Sequence, residues 1–156
     1  MFRQVTIMAR YNRQKSIPIV VQEMRLRRQY SSLIIQCGIK NSTLTCTMRL
    51  QPSPESITYT VRILYKAERR PRVWMISPGK AATFAGEEPH HLYGHDSKGH
   101  PELCVFHPQS GEWNHQMFLA DAFIPWVITW LSAYEYWQVT GLWLYPEIKN
   151  GKPKEI

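Results

Sequence analysis

Two nearby segments, Thr43 to Leu50 (TLTCTMRL) and Ile57 to Lys66 (ITYTVRILYK), alternate apolar and polar residues with a period of two. A strand sends successive side chains to opposite faces, so this alternation predicts β-structure with one face in a core and the other in water. Leu44, Cys46, Met48 and Leu50 share a face in the first; Ile57, Tyr59, Val61 and Ile63 share one in the second. Ser32 to Ile39, rich in branched residues, precedes them, and Val73 to Ile76 supplies a short fourth strand before Pro78-Gly79. The stretches between them are rich in Gly, Pro, Asn and Ser, which is turn chemistry. Together these segments predict a four-stranded antiparallel meander.

Helical periodicity flanks the meander on both sides. Ser16 is positioned to cap a helix with Pro18 in its first turn, and Ile17, Val20, Val21 and Met24 form an apolar stripe of a helix reaching about Tyr30. Near the other end, Leu119 to Trp137 is helical in period, with Pro125 either opening or kinking the helix. Trp126, Trp130, Tyr134 and Trp137 run along one side; this spacing reads as core before interface. Thr140-Gly141 fits a helix stop. Between meander and helix, residues 78–112 lose all period: Gly, Pro and His dominate, and Leu103-Cys104-Val105-Phe106 is the one apolar island. Irregular segments of that length are uncommon in compact domains and often functional. The expected architecture is α+β: an N-terminal helix, the meander, an active-site loop with a cysteine, and a C-terminal helix, in one domain over residues 1–156.

With 156 residues and 44% hydrophobic content the chain can bury a core without staples, and it is not a disordered or fibrous sequence. Three cysteines, Cys37, Cys46 and Cys104, do not make a paired disulfide framework and point to a reducing cytoplasm. The start, MFRQVTIMARYNRQK, lacks the apolar run and cleavage site of a signal peptide. Phe118 to Tyr134, the most apolar stretch, is broken by Asp121 and Pro125 and reads as a buried helix, so no membrane is expected. The net charge is +7, from 19 Lys and Arg against 12 Asp and Glu. The cations cluster at Arg25, Arg27 and Arg28 and again at Lys66, Arg69, Arg70 and Arg72, without interleaved aromatics or a zinc-finger or RNP-type spacing. A solvated helix face and a basic hairpin turn account for both clusters. Nucleic acid is therefore not the expected partner, and an acidic protein explains the surplus at least as well.

Cys104 is the candidate for chemistry. Cys37 and Cys46 lie in strand patterns, where a cysteine is usually a small buried hydrophobe, whereas Cys104 lies in the histidine-rich region, where access and polarity favour a thiolate. On the residues alone, a nucleophile and one more buried strand at Leu103–Phe106 stand equal. His90, His91, His95, His100, His107 and His115 fall close together, but no recurrent ligand spacing and no second nearby cysteine accompany them, so a metal is not expected. The sequence has neither a G-x-S-x-G elbow nor a glycine-rich phosphate loop, and no cofactor is expected.

The order of helix, meander, His-containing loop, cysteine, downstream Trp and closing helix resembles the ubiquitin-conjugating-enzyme fold. His91-Leu92-Tyr93, Leu103-Cys104-Val105-Phe106, Glu112-Trp113, the run Leu119 to Trp126, Trp130-Leu131, Tyr134-Glu135, Trp137 and Thr140-Gly141-Leu142-Trp143 are similar, more narrowly, to the conjugating-enzyme-like proteins of bacterial short type II CBASS anti-phage operons. The resemblance covers the element order from 17 to 143, with motif-level similarity over about 91–143.

This resemblance implies a cytoplasmic acyl transferase whose Cys104 forms a thioester with the C-terminal carboxylate of a cGAS-like nucleotidyltransferase and primes it for second-messenger synthesis. His91 and Tyr93 are the loop positions that flank the cysteine. The eukaryotic His-Pro-Asn triplet is replaced by His91-Leu92-Tyr93, so Tyr93, Asn114 or a backbone N–H is left to hold a developing oxyanion, with Tyr93 favoured. His95 to Pro101 stretches the spacing to Cys104 and is expected to be a flexible excursion. Nothing in the chain activates an acyl group, so a separate activating enzyme or a pre-activated partner is implied. The alternative from another class is a non-catalytic module on the same fold that docks a partner protein through its Trp-rich helix, with Cys104 incidental.

Overall fold

The computed structural model describes residues 15–106 and 111–144, together with the backbone of strands at 147–149 and 152–154. Residues 1–14 of the N-terminal stretch read above for a signal peptide, and His107, lie outside the described residues. Helix α1 (Ile19–Tyr30) is followed by β1 (Ile34–Lys40), β2 (Thr43–Leu50), β3 (Tyr59–Lys66) and β4 (Arg72–Ser77). Then come β5 (Leu92–His95), β6 (Pro101–Leu103), a π-helical turn (Leu119–Phe123), α2 (Ile124–Thr140), and the short β7 (Glu147–Lys149) and β8 (Lys152–Lys154), which pair with each other.

The four-stranded meander is present, but it is part of a six-stranded antiparallel sheet in the order β1-β2-β3-β4-β6-β5. Asn41 and Ser42, both with positive φ (51° and 56°), form the two-residue turn that twists β1 back onto β2. The alternation reads correctly across the centre: Leu44, Cys46, Met48 and Leu50 face Tyr59, Val61, Ile63 and Tyr65 in register, all buried. Ile57 is the exception. It precedes the strand and is exposed.

The two added strands come from the region expected to be irregular. Residues 95–101 are an ordered hairpin turn rather than a flexible excursion, because Asp96 organises it. The Asp96 amide donates to the His100 carbonyl (2.9 Å), and Asp96 Oδ1 accepts from the amides of Lys98 and His100 (2.9 Å each). Asp96 Oδ2 lies 2.9 Å from His100 Nδ1 and 3.2 Å from Arg62 on β3, which fastens the turn to the sheet. Burial works to raise this carboxyl, but the His100 amide, its ring and the Lys98 amide outweigh it and hold Asp96 at about 2.

Helix α1 departs from its apolar pattern. No side chain caps it; Pro18 stands at its N-cap, and the Pro18 carbonyl accepts from the Val21 and Gln22 amides. Ser16 is therefore not the cap. The stripe of Val20, Val21 and Met24 faces solvent, with Met24 62% exposed, while Gln22 and Leu26 are fully buried. Polar recognition sets this rotation. Gln22 donates to the Met117 carbonyl (2.8 Å) and accepts from the Leu119 amide (2.9 Å), and Tyr30 donates to the Ala120 carbonyl (2.8 Å). Arg25 and Gln29 bind Asp121 at 2.8 and 2.9 Å. The orphan amides and carbonyls around the π-helical turn thus find partners on α1, as buried backbone groups must.

Pro125 lies in the first turn of α2, directly after the π-helical turn, and has no N–H to donate back into that turn. Trp130, Tyr134 and Trp137 are buried in the same cluster as the sheet core, which agrees with the core reading; Trp126 is half-buried against it. At the far end Gly141 takes the left-handed conformation (φ 73°), its amide donating to the Trp137 carbonyl at 2.8 Å, with the Phe84 ring where a Cβ would be. Among the described residues no helix is long and apolar enough to cross a membrane.

The polar seating of α1 predicts an inverted mutational pattern. Gln22→Ala leaves two buried backbone groups without their partner, at about 1–3 kcal/mol each, whereas Met24→Ala should stay within about 0.5 kcal/mol of wild type. Denaturant midpoints measure both, and a larger loss for Met24→Ala would return the apolar stripe to the core.

Candidate active site

Cys104 is the first residue after β6, at the inner end of the β5–β6 hairpin. Its backbone is fixed from two sides: the His91 carbonyl accepts from the Cys104 amide (3.0 Å) and from the indole N–H of Trp130 on α2 (3.1 Å). His91 thus holds the cysteine through its main chain. Its ring stacks on Trp143 at 4.4 Å, and Trp143 in turn meets Trp130 edge-on. The Trp-rich segment thus holds His91, and through it the cysteine backbone.

The Cys104 thiol is half-buried and points toward the Phe106 carbonyl (3.7 Å). Tyr93 converges on the same oxygen. Its hydroxyl donates to the Phe106 carbonyl at 2.7 Å and lies against the Cys104 sulfur. One carbonyl therefore holds both the thiol and the phenol. Tyr93 is 38% exposed, and Arg70, from the β3–β4 turn, lays its guanidinium over the ring at 4.4 Å. Arg70 also binds Glu102 (3.4 Å), and Arg72 binds the other oxygen of that carboxylate at 2.6 Å. Glu102 is only 5% exposed, immediately before Leu103-Cys104.

These neighbours set the state of the sulfur. Burial pushes the Cys104 thiol above the ordinary cysteine range; the Tyr93 hydroxyl and Arg70 pull it down, and Glu102 and Glu112 push it up. Burial wins, so the resting group is a thiol. Tyr93 is itself raised, by burial first and then by the sulfur beside it, so its hydroxyl stays protonated as a donor to any negative charge forming there.

The structure brings Cys104, Tyr93 and the His91 backbone together. Asn114 has its Oδ1 engaged by the Gln116 amide (2.9 Å). The other histidines disperse: His95 lies beside Glu88, His100 beside Asp96, and His115 contributes a carbonyl to the Ile17 amide. No group of three metal-ligating side chains occurs among the described residues. Cys37 and Cys46 sit opposite each other across the β1–β2 ladder, Cys46 fully buried and Cys37 half-buried. Sequence reasoning missed Arg70 and Glu102. Their only signal was a basic turn and a carboxylate two residues before the cysteine, and no spacing rule links the two.

A family model describing the type II CBASS E2 protein matches residues 22–150. The chain belongs to that family. It is thereby a CBASS antiviral-defence protein of ubiquitin-conjugating-like type, and coarsely a conjugating enzyme. The match includes Tyr93, Cys104 and the whole of α2. No curated protein matches the chain.

The thiol environment of this E2-like protein makes a signed prediction. Because the thiol is raised, its alkylation by iodoacetamide should keep accelerating past the pH at which a free cysteine levels off. Tyr93→Phe removes a donor to the thiolate and should move that profile further up in pH. A titration unchanged by Tyr93→Phe would detach the hydroxyl from the sulfur.

Proposed function

We propose that this protein is an acyl carrier with the ubiquitin-conjugating-enzyme fold over residues 1–156, acting in the cytoplasm. In this reading Cys104 accepts the C-terminal carboxyl of a cGAS-like nucleotidyltransferase and passes it to an amine. The single observation that carries the reading is the half-buried Cys104 thiol with the Tyr93 hydroxyl against it, in a chain of the type II CBASS E2 family. A separate activating enzyme supplies the carboxyl as an adenylate or as its own thioester.

The chemistry follows from the arrangement. The Cys104 thiol loses its proton to solvent, and the thiolate attacks the activated carbonyl carbon. An S–C bond forms and the bond to adenylate, or to the activating enzyme's sulfur, breaks. Charge that gathers on the carbonyl oxygen is met by the Tyr93 O–H, which for this turns its one proton from the Phe106 carbonyl. Donors of this kind contribute about 10²–10³ in rate. An amine then attacks the thioester, a C–N bond replaces the C–S bond, and the departing sulfur takes up, through solvent, the proton that the amine nitrogen loses. His91 acts by position, its carbonyl holding the Cys104 amide.

A second reading has one observation in its favour. The raised Cys104 thiol is also what a docking module without catalysis would tolerate. The two separate on a gel: wild type with the activating enzyme and the nucleotidyltransferase should give a thiol-labile adduct, Cys104→Ser a thiol-resistant ester, and Cys104→Ala none. Cys46→Ala should lose some stability and keep the adduct, since Cys46 is buried in the sheet core. An adduct that persists in Cys104→Ala removes the sulfur from the mechanism.

A further inference from the structure

The outer face of the sheet carries a cationic trough that the thioester chemistry does not use. Register places Lys40, Thr43 and Lys66 in one row across β1, β2 and β3. Gly38, Thr45, Leu64 and Arg72 form the next row, and Gln36, Thr47, Arg62 and Trp74 the one after. Gly38 leaves its row without a side chain, and a Cβ there would meet nothing within 4 Å. The result is a depression of about 770 Å³ beside the threonine column of β2. A second depression, of about 610 Å³, shares Thr43 and Lys66 with it and continues to Arg69, Arg70 and Arg72.

Six cations line the two depressions: Lys40, Arg62, Lys66, Arg69, Arg70 and Arg72. Among the described residues the ion pairs of this group go to two carboxylates, Asp96 for Arg62 and Glu102 for Arg70 and Arg72. The surplus positive charge lies at Lys40, Lys66 and Arg69. The trough also ends beside the cysteine, since the Arg70 that lines it covers the Tyr93 ring at 4.4 Å.

We propose that this trough binds an extended, carboxylate-rich polypeptide segment of a partner protein. Ammonium, guanidinium and hydroxyl donors together suit anions, which phosphate would satisfy as well as carboxylate. The aromatic groups decide between them. Single-stranded nucleic acid needs bare rings on which bases stack. Here Trp74 is 7% exposed beneath Arg62 and Arg72, and Tyr93 is covered by Arg70. A channel left open by one missing side chain fits a single chain with small and acidic residues rather than a folded surface. A segment so bound lies next to Cys104 without touching the sulfur.

The inference stands apart from the thioester reading, because its test uses the full-length Cys104→Ala protein, in which no acyl transfer takes place. Fluorescence anisotropy measures binding of a fluorescein-labelled peptide of alternating Glu and Ser, of the same peptide with Gln for Glu, and of an oligo-dT of equal charge. The Glu peptide should bind at least about tenfold more tightly than the other two. Gly38→Leu, which fills the depression and leaves the charge unchanged, should weaken the Glu peptide by about tenfold. Lys66→Glu should do the same, while Arg28→Glu on the exposed face of α1, an equal change in net charge, should not. Equal effects of Lys66→Glu and Arg28→Glu, or wild-type affinity in Gly38→Leu, would reduce the trough to diffuse charge. Tighter binding of the oligonucleotide would overturn the choice of partner.

Discussion

The carbonyl oxygen of His91 is the point on which the site depends. It accepts from the Cys104 amide and from the Trp130 indole, and so ties the residue after β6 to the middle of the C-terminal helix. Both donors are polar groups in partly buried surroundings, where an unmade hydrogen bond costs more than a made one contributes. Cys104 therefore cannot shift without leaving an amide unpaired, and Trp130 cannot turn without leaving its indole N–H unpaired. The aromatic stack of Trp130, Tyr134 and Trp137 then has a positional role besides burial, since it fixes the height at which the indole N–H meets β5.

A second layer of constraint is electrostatic. Glu102 is buried on β6, one strand in from the sheet edge, and a buried carboxylate is costly unless paired. Arg72 and Arg70 meet that need, which in turn anchors the β3–β4 turn over Tyr93. The chain of contacts runs from a strand carboxylate through a guanidinium to the ring whose hydroxyl lies on the sulfur. Removing the Glu102 charge would take away one carboxylate that raises the thiol, but it would also release Arg70, a cation that lowers it. The two effects oppose, so Glu102 acts on the sulfur mainly by placing Arg70.

The central strands were legible because their burial follows from period alone: Leu44 to Leu50 and Tyr59 to Tyr65 alternate without exception. Legibility failed wherever polar groups did the structural work. The α1 stripe of Val20, Val21 and Met24 pointed the wrong way because Gln22 is the residue that fits the backbone of the π-helical turn, and no hydrophobic count sees that. The β5–β6 hairpin was hidden because Asp96, not a turn dipeptide, closes it, and because Glu102 and Tyr93 find partners distant in sequence. Cys104 itself was readable as the odd cysteine in a polar region. Its two modulators, Arg70 and Glu102, were not, since their effect requires a fold that brings positions 70, 93 and 102 to one place.

In the proposed carrier the burial of Cys104 has two opposite consequences. A raised thiol is scarcely ionised near neutral pH, which slows the uptake of an acyl group. The same property makes the sulfur a poorer leaving group, because thiols of lower pKa depart faster. The acyl group, once loaded, is then held longer against water. Tyr93 and Arg70 temper the first effect, as both favour the charged sulfur, and both approach it from the side of the hairpin and the β3–β4 turn. An incoming chain that draws Arg70 toward its own carboxylates would weaken that help and leave the thiol higher still. Occupation of the trough and loading of the cysteine would in that case be coupled through one guanidinium, with the sign set by whether Arg70 stays over Tyr93 or leaves it.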